Sequence, residues 1–234
     1  MPPPLLVIVA ARNEADRIGA TVDALASAFP GASIWVADDA SEDGTSDVAL
    51  AHGARLVSRG RPHGKGGNVT AAARAALSDA EDADAPVALV CDGDLGHSAA
   101  ALTGLVEAVR RGDCDLAVAA FARRVGGGFG IALRFARWAI RSRSGYEAGA
   151  PISGQRAMRT EILRDLLPFA RGYGMEIGMT VDAVRAGHRV CEVELELEHR
   201  ATGRTLGGFV HRGRQLRDFA AVWWARRRPD SLAR

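Results

Sequence analysis

Leu5-Leu6-Val7-Ile8-Val9-Ala10-Ala11-Arg12-Asn13-Glu14 is an apolar run of strand length that turns polar at Arg12 and passes into a segment of helical period. A run without polar alternation is what a strand buried on both faces requires. The same unit recurs along the first half of the chain. Strands are expected at Leu5–Ala10, Ile34–Ala37, Arg55–Val57, Val87–Cys91 and Leu116–Ala120, with helical patterns at Glu14–Ala28, Gly44–His52, Asn68–Ser78 and Ala99–Arg111 between them. Alternating β and α units predict an α/β fold with a Rossmann-like, mostly parallel sheet flanked by helices. A ligand of such a sheet sits beyond the carboxyl ends of its strands.

After residue 120 the rhythm changes. A glycine cluster at Gly126–Gly130 precedes a basic amphipathic helix, Ile131–Arg143, and a loop around Gly149–Gly154 follows. Helices are expected near Thr160–Leu167 and Met175–Ala186, and a strand at Arg189–Leu197, where Val190, Val193, Leu195 and Leu197 stand against Glu192, Glu194 and Glu196. A last basic helix runs roughly His211–Arg228. At 234 residues, with no repeat or linker, the chain is expected to be a single domain over 1–234, with halves at 1–120 and 121–234.

Composition narrows the class. Hydrophobic residues at 47% and charged residues at 25% exclude global disorder. Three scattered cysteines, Cys91, Cys114 and Cys191, predict neither a disulfide framework nor a zinc knuckle, in keeping with a reducing compartment. The start lacks a basic n-region and no run reaches ~18 apolar residues, so neither a signal peptide nor a membrane span is expected. The expected location is cytoplasmic. The net charge of +2 conceals an asymmetry: residues 1–117 carry 9 basic and 17 acidic side chains, and the remainder 21 and 11. A chain polarised that way suits a metal at one end and anions at the other.

Each polar cluster of the first half follows a strand. They are Ala11-Arg12-Asn13-Glu14, then Asp38-Asp39-Ala40-Ser41-Glu42-Asp43-Gly44-Thr45, then Gly64-Lys65-Gly66-Gly67, then Asp92-Gly93-Asp94. Taken singly, Asn13, Ser41 and Asp43 read as helix caps and Asp-Gly as turn chemistry. Together they converge on one crevice. Two carboxylates with one small spacer at a strand end suit a hard divalent cation that keeps substrate phosphates in its shell. Lys65, the single lysine against twenty-nine arginines, lies among glycines that could form a nest touching phosphate, although no Walker A string is present. Arg123 and Arg124 beside Gly126–Gly128 suit an anion cradle.

These four clusters resemble the successive motifs of the family-2-like glycosyltransferases of GT-A fold. Ser153-Gly154-Gln155-Arg156-Ala157, the run Leu167-Pro168-Phe169-Ala170-Arg171-Gly172-Tyr173-Gly174-Met175-Glu176-Ile177-Gly178, and Glu198-His199-Arg200 are similar to the glucosyl-3-phosphoglycerate synthase family. The likeness spans about residues 5–206. It implies a metal-dependent enzyme moving a sugar from a UDP-glucose or GDP-mannose type donor to a small anionic acceptor such as 3-phosphoglycerate. It further implies that Ala11, Glu14, Asp38, Lys65 and Asp92 contact the donor, and that Asp94 and His199 ligate Mg²⁺ or Mn²⁺. Glu176 and Asp94 become the catalytic candidates, with Arg123, Arg124, Gly127, Gly128 and Arg200 facing the acceptor. The family's Gly-Arg-Val-Thr string is absent, since Gly128 runs into Phe129-Gly130-Ile131, and its His-Arg-Asn is here His199-Arg200-Ala201.

Three other readings stand beside this one. A polyprenyl-phosphate transferase shares the N-terminal motifs and would use the C-terminal basic helix as a peripheral membrane contact. A non-catalytic nucleotide-sugar-binding or interaction protein and a nucleotidyltransferase are the remaining two. A homodimer stays open, and no nucleic-acid motif is present.

Overall fold

The computed structural model describes residues 4–79, 82, 84–121, 130–197 and 206–227. The first strand, β1 (Leu5–Ala11), pairs in parallel with β2 (Ser33–Asp38) on one side and β4 (Val87–Asp92) on the other. Its residues divide between two cores: Leu5, Val7, Val9 and Ala11 face one layer, while Leu6 and Ile8 face the other. Burying each such side chain contributes about 1.5–3 kcal/mol, so an apolar run with two covered faces has no stable place at a sheet edge.

The remaining strands are β3 (Arg55–Ser58), β5 (Leu116–Phe121), β6 (Arg156–Arg159) and β7 (Val190–Leu195). Together they form a seven-stranded sheet in the order β3-β2-β1-β4-β6-β5-β7, parallel except for β6. The helices are α1 (Ile18–Ala28), α2 (Thr45–Ala51), α3 (Lys65–Ser78), α4 (Thr103–Arg110), α5 (Gly130–Ser144), α6 (Thr160–Asp165), α7 (Met175–Arg185) and α8 (Leu206–Ala225). Residues from α1 and α4 fill one layer, and residues from α3, α6 and α7 fill the other. A third, smaller cluster joins α5, α7 and α8 through Ala136, Ile140, Ile177, Val181, Phe219 and Val222. The α/β sheet flanked by helices is as expected.

Several boundaries differ, each for a local reason. The first helix begins at Ile18 rather than Glu14, because Asn13 is left-handed (φ 54°) and the amides of Glu14 and Ala15 are spent on the next loop. The third begins at Lys65 rather than Asn68, with Gly64 at its N-cap (φ 74°). The expected helix at Ala99 opens as a 3₁₀ segment, Gly96–Leu102. Strand β6 was not foreseen. The cysteine reading is also corrected, since Cys114 and Cys191 form a disulfide beside the β5–β7 pairing and only Cys91 is free, and buried. Among the described residues, no helix is long and apolar enough to cross a membrane.

Candidate active site

Strands β1, β2 and β4 end side by side, at Ala11, Asp38 and Asp92. The first two loops are laced together. Asn13 donates its N–H to Ser41 Oγ (2.9 Å) and accepts at Oδ1 from the Glu42 N–H (2.9 Å). The Glu14 N–H reaches Thr45 Oγ1 (2.9 Å), and the Ala15 N–H reaches Asp43 Oδ2 (3.1 Å). Asn13, Ser41 and Asp43 therefore bind loop to loop. The hydroxyl of Thr45, bonded to Asp43, is the main influence holding that carboxyl below its usual range. Ala40 is left-handed (φ 57°), strain that non-glycine residues bear where a loop shape is imposed from outside.

Two buried carboxylates organise this edge. Asp38, 2% exposed, accepts the hydroxyls of Ser41, Ser46 (2.6 Å) and Ser58 (3.3 Å) and the Ser41 N–H (3.2 Å). These bonds tie the second loop together around the Asp38 carboxylate. Its neighbour Asp39, not singled out in the sequence, accepts the N–H groups of His63 (2.7 Å) and Gly64 (3.1 Å) and so fixes the start of α3.

That start delivers Lys65. Its Nζ lies 2.6 Å from Asp92 Oδ1 and 2.8 Å from Glu176 Oε1. Burial alone would push the ammonium's pKa down; the two carboxylates outweigh it and hold Lys65 well above its usual value. The lysine thus meets carboxylates rather than an open anion nest. The other oxygen of Asp92 accepts from Gln155 Nε2 (2.9 Å). Glu176 comes from the first turn of α7, behind the 3₁₀ turn Gly172–Gly174, and is 5% exposed.

Close packing makes the triangle rigid. A Cβ on Gly66 would collide with the Ala170 carbonyl, and one on Gly154 would collide with both Lys65 Nζ and Asp92 Oδ2. The turn Ser153–Gln155 is held from beneath by Arg156, which is fully buried: its Nε donates to the Ser153 carbonyl (2.9 Å) and its Nη1 to Thr180 Oγ1 (2.9 Å). Among the described residues its Nη2 has no hydrogen-bond partner. Burial pushes this guanidinium down to about 10, against the pull of Glu176, Glu192 and Tyr146. Arg156 and Gln155 stood in the sequence only as part of a quoted motif. A glycine followed by two long polar side chains was the signal that they face inward.

The spacer of Asp92-Gly93-Asp94 is pinned by the Gly93 N–H to Ala10 O (2.8 Å) and by the Thr21 hydroxyl to Gly93 O (2.8 Å). Asp94 follows it, its backbone carbonyl bound by Arg17 Nη1 (2.9 Å). Among the described residues no three His, Cys, Asp or Glu side chains form a metal cluster. The donor set nevertheless fits a hard divalent cation. The turn supplies carboxylate oxygens, and Mg²⁺ needs only one or two of these when substrate phosphates complete its shell. The other expected residues, His199, Arg200, Arg123, Arg124, Gly127 and Gly128, lie outside the described residues. The structure brings together Ala11, Asp92, Lys65 and Glu176, with Glu14 and Asp38 in the adjoining loops.

A family profile described as Glycosyl transferase family 2 matches residues 6–167. An undecaprenyl-phosphate mannosyltransferase of Micrococcus luteus is 31% identical, over 88% of this chain and 89% of its own length. Glucosyl-3-phosphoglycerate synthase of Mycobacterium tuberculosis, solved with Mn²⁺, UDP-glucose and phosphoglyceric acid, is 27% identical with a TM-score of 0.75, covering 96% of this chain and 80% of that one. The same enzyme solved with Mg²⁺ and UDP superposes with a TM-score of 0.76 at 25% identity, over 96% and 79% of the two chains.

Proposed function

This chain belongs to glycosyl transferase family 2, and on that premise we propose that it moves a hexose from a nucleotide-sugar donor to a small, phosphate-bearing acceptor such as 3-phosphoglycerate. The observation that carries the reading is the Lys65 ammonium held between Asp92 and Glu176 at the carboxyl ends of the parallel strands. In this reading residues 1–120 form the donor half, where Ala11, Glu14, Asp38, Lys65 and Asp92 contact the nucleotide sugar. Residues 121–234 form the acceptor half, where Arg123, Arg124, Gly127, Gly128 and Arg200 receive the phosphate, arginine being suited to bidentate binding of such groups.

Asp94 and His199 would hold Mg²⁺ or Mn²⁺, and the cation would supply positive charge to the departing diphosphate. The protein's own groups do the rest. Lys65 stays charged across the working pH range and fixes both carboxylates. Glu176, its carboxylate aimed by Lys65, accepts a hydroxyl of the transferred sugar and orients the anomeric carbon. Preorganised charge in a closed site lowers the barrier without reorganising during reaction.

A second reading, with a polyprenyl phosphate as acceptor, is favoured by the Micrococcus luteus relative and by the missing Gly-Arg-Val-Thr string. The test is calorimetric titration with UDP-glucose and GDP-mannose, each with and without Mn²⁺ or Mg²⁺, on wild type and Asp94→Ala. Metal-dependent binding of one donor, lost in Asp94→Ala, is expected. Full donor binding and turnover by Asp94→Ala would refute the metal role. Turnover with 3-phosphoglycerate against undecaprenyl phosphate then decides the acceptor.

A further inference from the structure

The outer faces of α5 and α8 are unusual for a solvated surface. Helix α5 turns Ala132, Ala136, Ala139 and Ile140 inward, so its core contacts are met mainly by alanines. Two of its large residues go the other way: Ile131 is 77% exposed and Trp138 49% exposed. On α8, Phe219 and Val222 point inward while Trp224 is 58% exposed. Of the exposed large hydrophobics among the described residues, only Leu50 lies elsewhere.

The tryptophans of the two helices form one patch. The Trp138 ring lies 5.4 Å from Phe135 and 5.0 Å from Trp223, and Trp223 lies 6.2 Å from Trp224. An aromatic strip therefore crosses from one helix to the other. Arginines border it: Arg143 stacks 4.0 Å over Trp223, Arg227 stacks 4.0 Å over Trp224, and Arg134, Arg137, Arg141 and Arg217 are exposed alongside. Acids are scarce. Residues 130–144 contain four arginines and no acid, and the single acid of 206–227, Asp218, is turned toward the Tyr173 N–H (3.3 Å) with Arg217 at 3.4 Å. Arg226 is answered by Asp182 of α7, and Arg141 lies 3.5 Å from Glu147.

We infer that this two-helix face docks the protein on an anionic phospholipid surface, with Trp138 and Trp224 at headgroup depth and the arginines against lipid phosphates. Tryptophan favours the boundary between apolar and wet media, and arginine beside it is drawn to a negative leaflet. Charge complementarity selects this occupant. A second copy meeting the face by two-fold symmetry would set arginine against arginine. The helix that carries Trp224 also packs the turn before Glu176, through Asp218 and through Val222 against Gly174, so docking would hold the cleft at a fixed attitude to the membrane. The inference does not depend on which sugar or acceptor is used.

The test is co-sedimentation with vesicles of phosphatidylcholine alone or mixed with phosphatidylglycerol. Wild type is expected to pellet with the anionic vesicles and to be released by salt. Trp138→Ser with Trp224→Ser is expected to bind about tenfold more weakly, while circular dichroism and donor titration are unchanged. Quenching of wild-type tryptophan fluorescence by brominated lipid gives an answer that needs no variant. Wild type remaining in the supernatant, binding that survives the double substitution, or absence of quenching would each overturn the inference. So would a concentration-dependent dimer abolished by the same substitutions, which would assign the face to a second copy.

Discussion

Replacing Lys65 by methionine keeps the length and apolar stem of the side chain and removes only its charge. Asp92 and Glu176 would then face each other with nothing between them. Their oxygens lie 2.6 and 2.8 Å from one nitrogen, so they are at most about 5.4 Å apart. At an effective dielectric of about 20, two unit charges at that distance repel by about 3 kcal/mol. Asp92 is 32% exposed at its side chain, and water screens part of that repulsion, so a net loss of about 2 kcal/mol is expected. For a chain of this size the melting temperature should fall by about 4–8 °C. The sign with pH follows. Lys65 has its folded pKa raised above 10.5, so the wild-type contribution is fully present below that value and is lost only as pH rises through the folded one. The gap between wild type and Lys65→Met should therefore be constant through neutrality and narrow only at strongly alkaline pH. Turnover should fall about 100-fold, the usual effect of a catalytic group displaced by about 1 Å. Thermal melts across pH, with Glu176→Gln and the double variant, close a mutant cycle. The double variant should melt above Lys65→Met. Equal melting temperatures for wild type and Lys65→Met at all pH values, or strict additivity in the cycle, would refute the triangle as the organising unit.

Gly154→Ala should fold but melt about 2–10 °C lower through overpacking, and calorimetry should show weakened donor binding, because the new methyl displaces Lys65 or Asp92. Wild-type affinity would show that the turn has room the packing denies. Arg156→Met should behave in the opposite sense. Burying the guanidinium costs on the order of 3 kcal/mol at neutral pH, offset by two hydrogen bonds, so melting should be unchanged or higher while turnover falls at least about tenfold. A variant that fails to fold would show that those two bonds outweigh the burial.

The parallel half of the fold was legible because its signals are local. Each strand is a short apolar run, and each polar loop follows its own strand, three of them directly and Gly64-Lys65-Gly66-Gly67 six residues after β3, so no long-range pairing had to be guessed. Strand β6 was not legible for the converse reason. Arg156-Ala157-Met158-Arg159 has the composition of a loop, and it becomes a strand only because β4 and β5 leave a slot between them that pairs with it antiparallel on both sides. The Cys114–Cys191 pair, 77 residues apart, has the same character. In the site, Asp92, Lys65 and Glu176 could each be named from motifs, yet their relation to one another could not, because it is made by the starts of α3 and α7 meeting at the end of β4.

That relation changes what the lysine means. A lone lysine among glycines reads as a phosphate contact, since a nest of amides and an ammonium are both complements to an anion. Once Glu176 arrives from α7, the ammonium has two carboxylates within 2.8 Å and its charge is already answered. The group with charge to spare is the buried Arg156, whose Nη2 has no partner among the described residues. Positive potential beneath Glu176 therefore comes from two sources of different kind: Lys65, which fixes geometry by contact, and Arg156, which acts through the field and through the Ser153–Gln155 turn. Removing the first should disturb position and stability together. Removing the second should lower activity at little cost in stability, and this separation is the sharpest consequence of placing a buried, half-satisfied guanidinium under the Glu176 carboxylate.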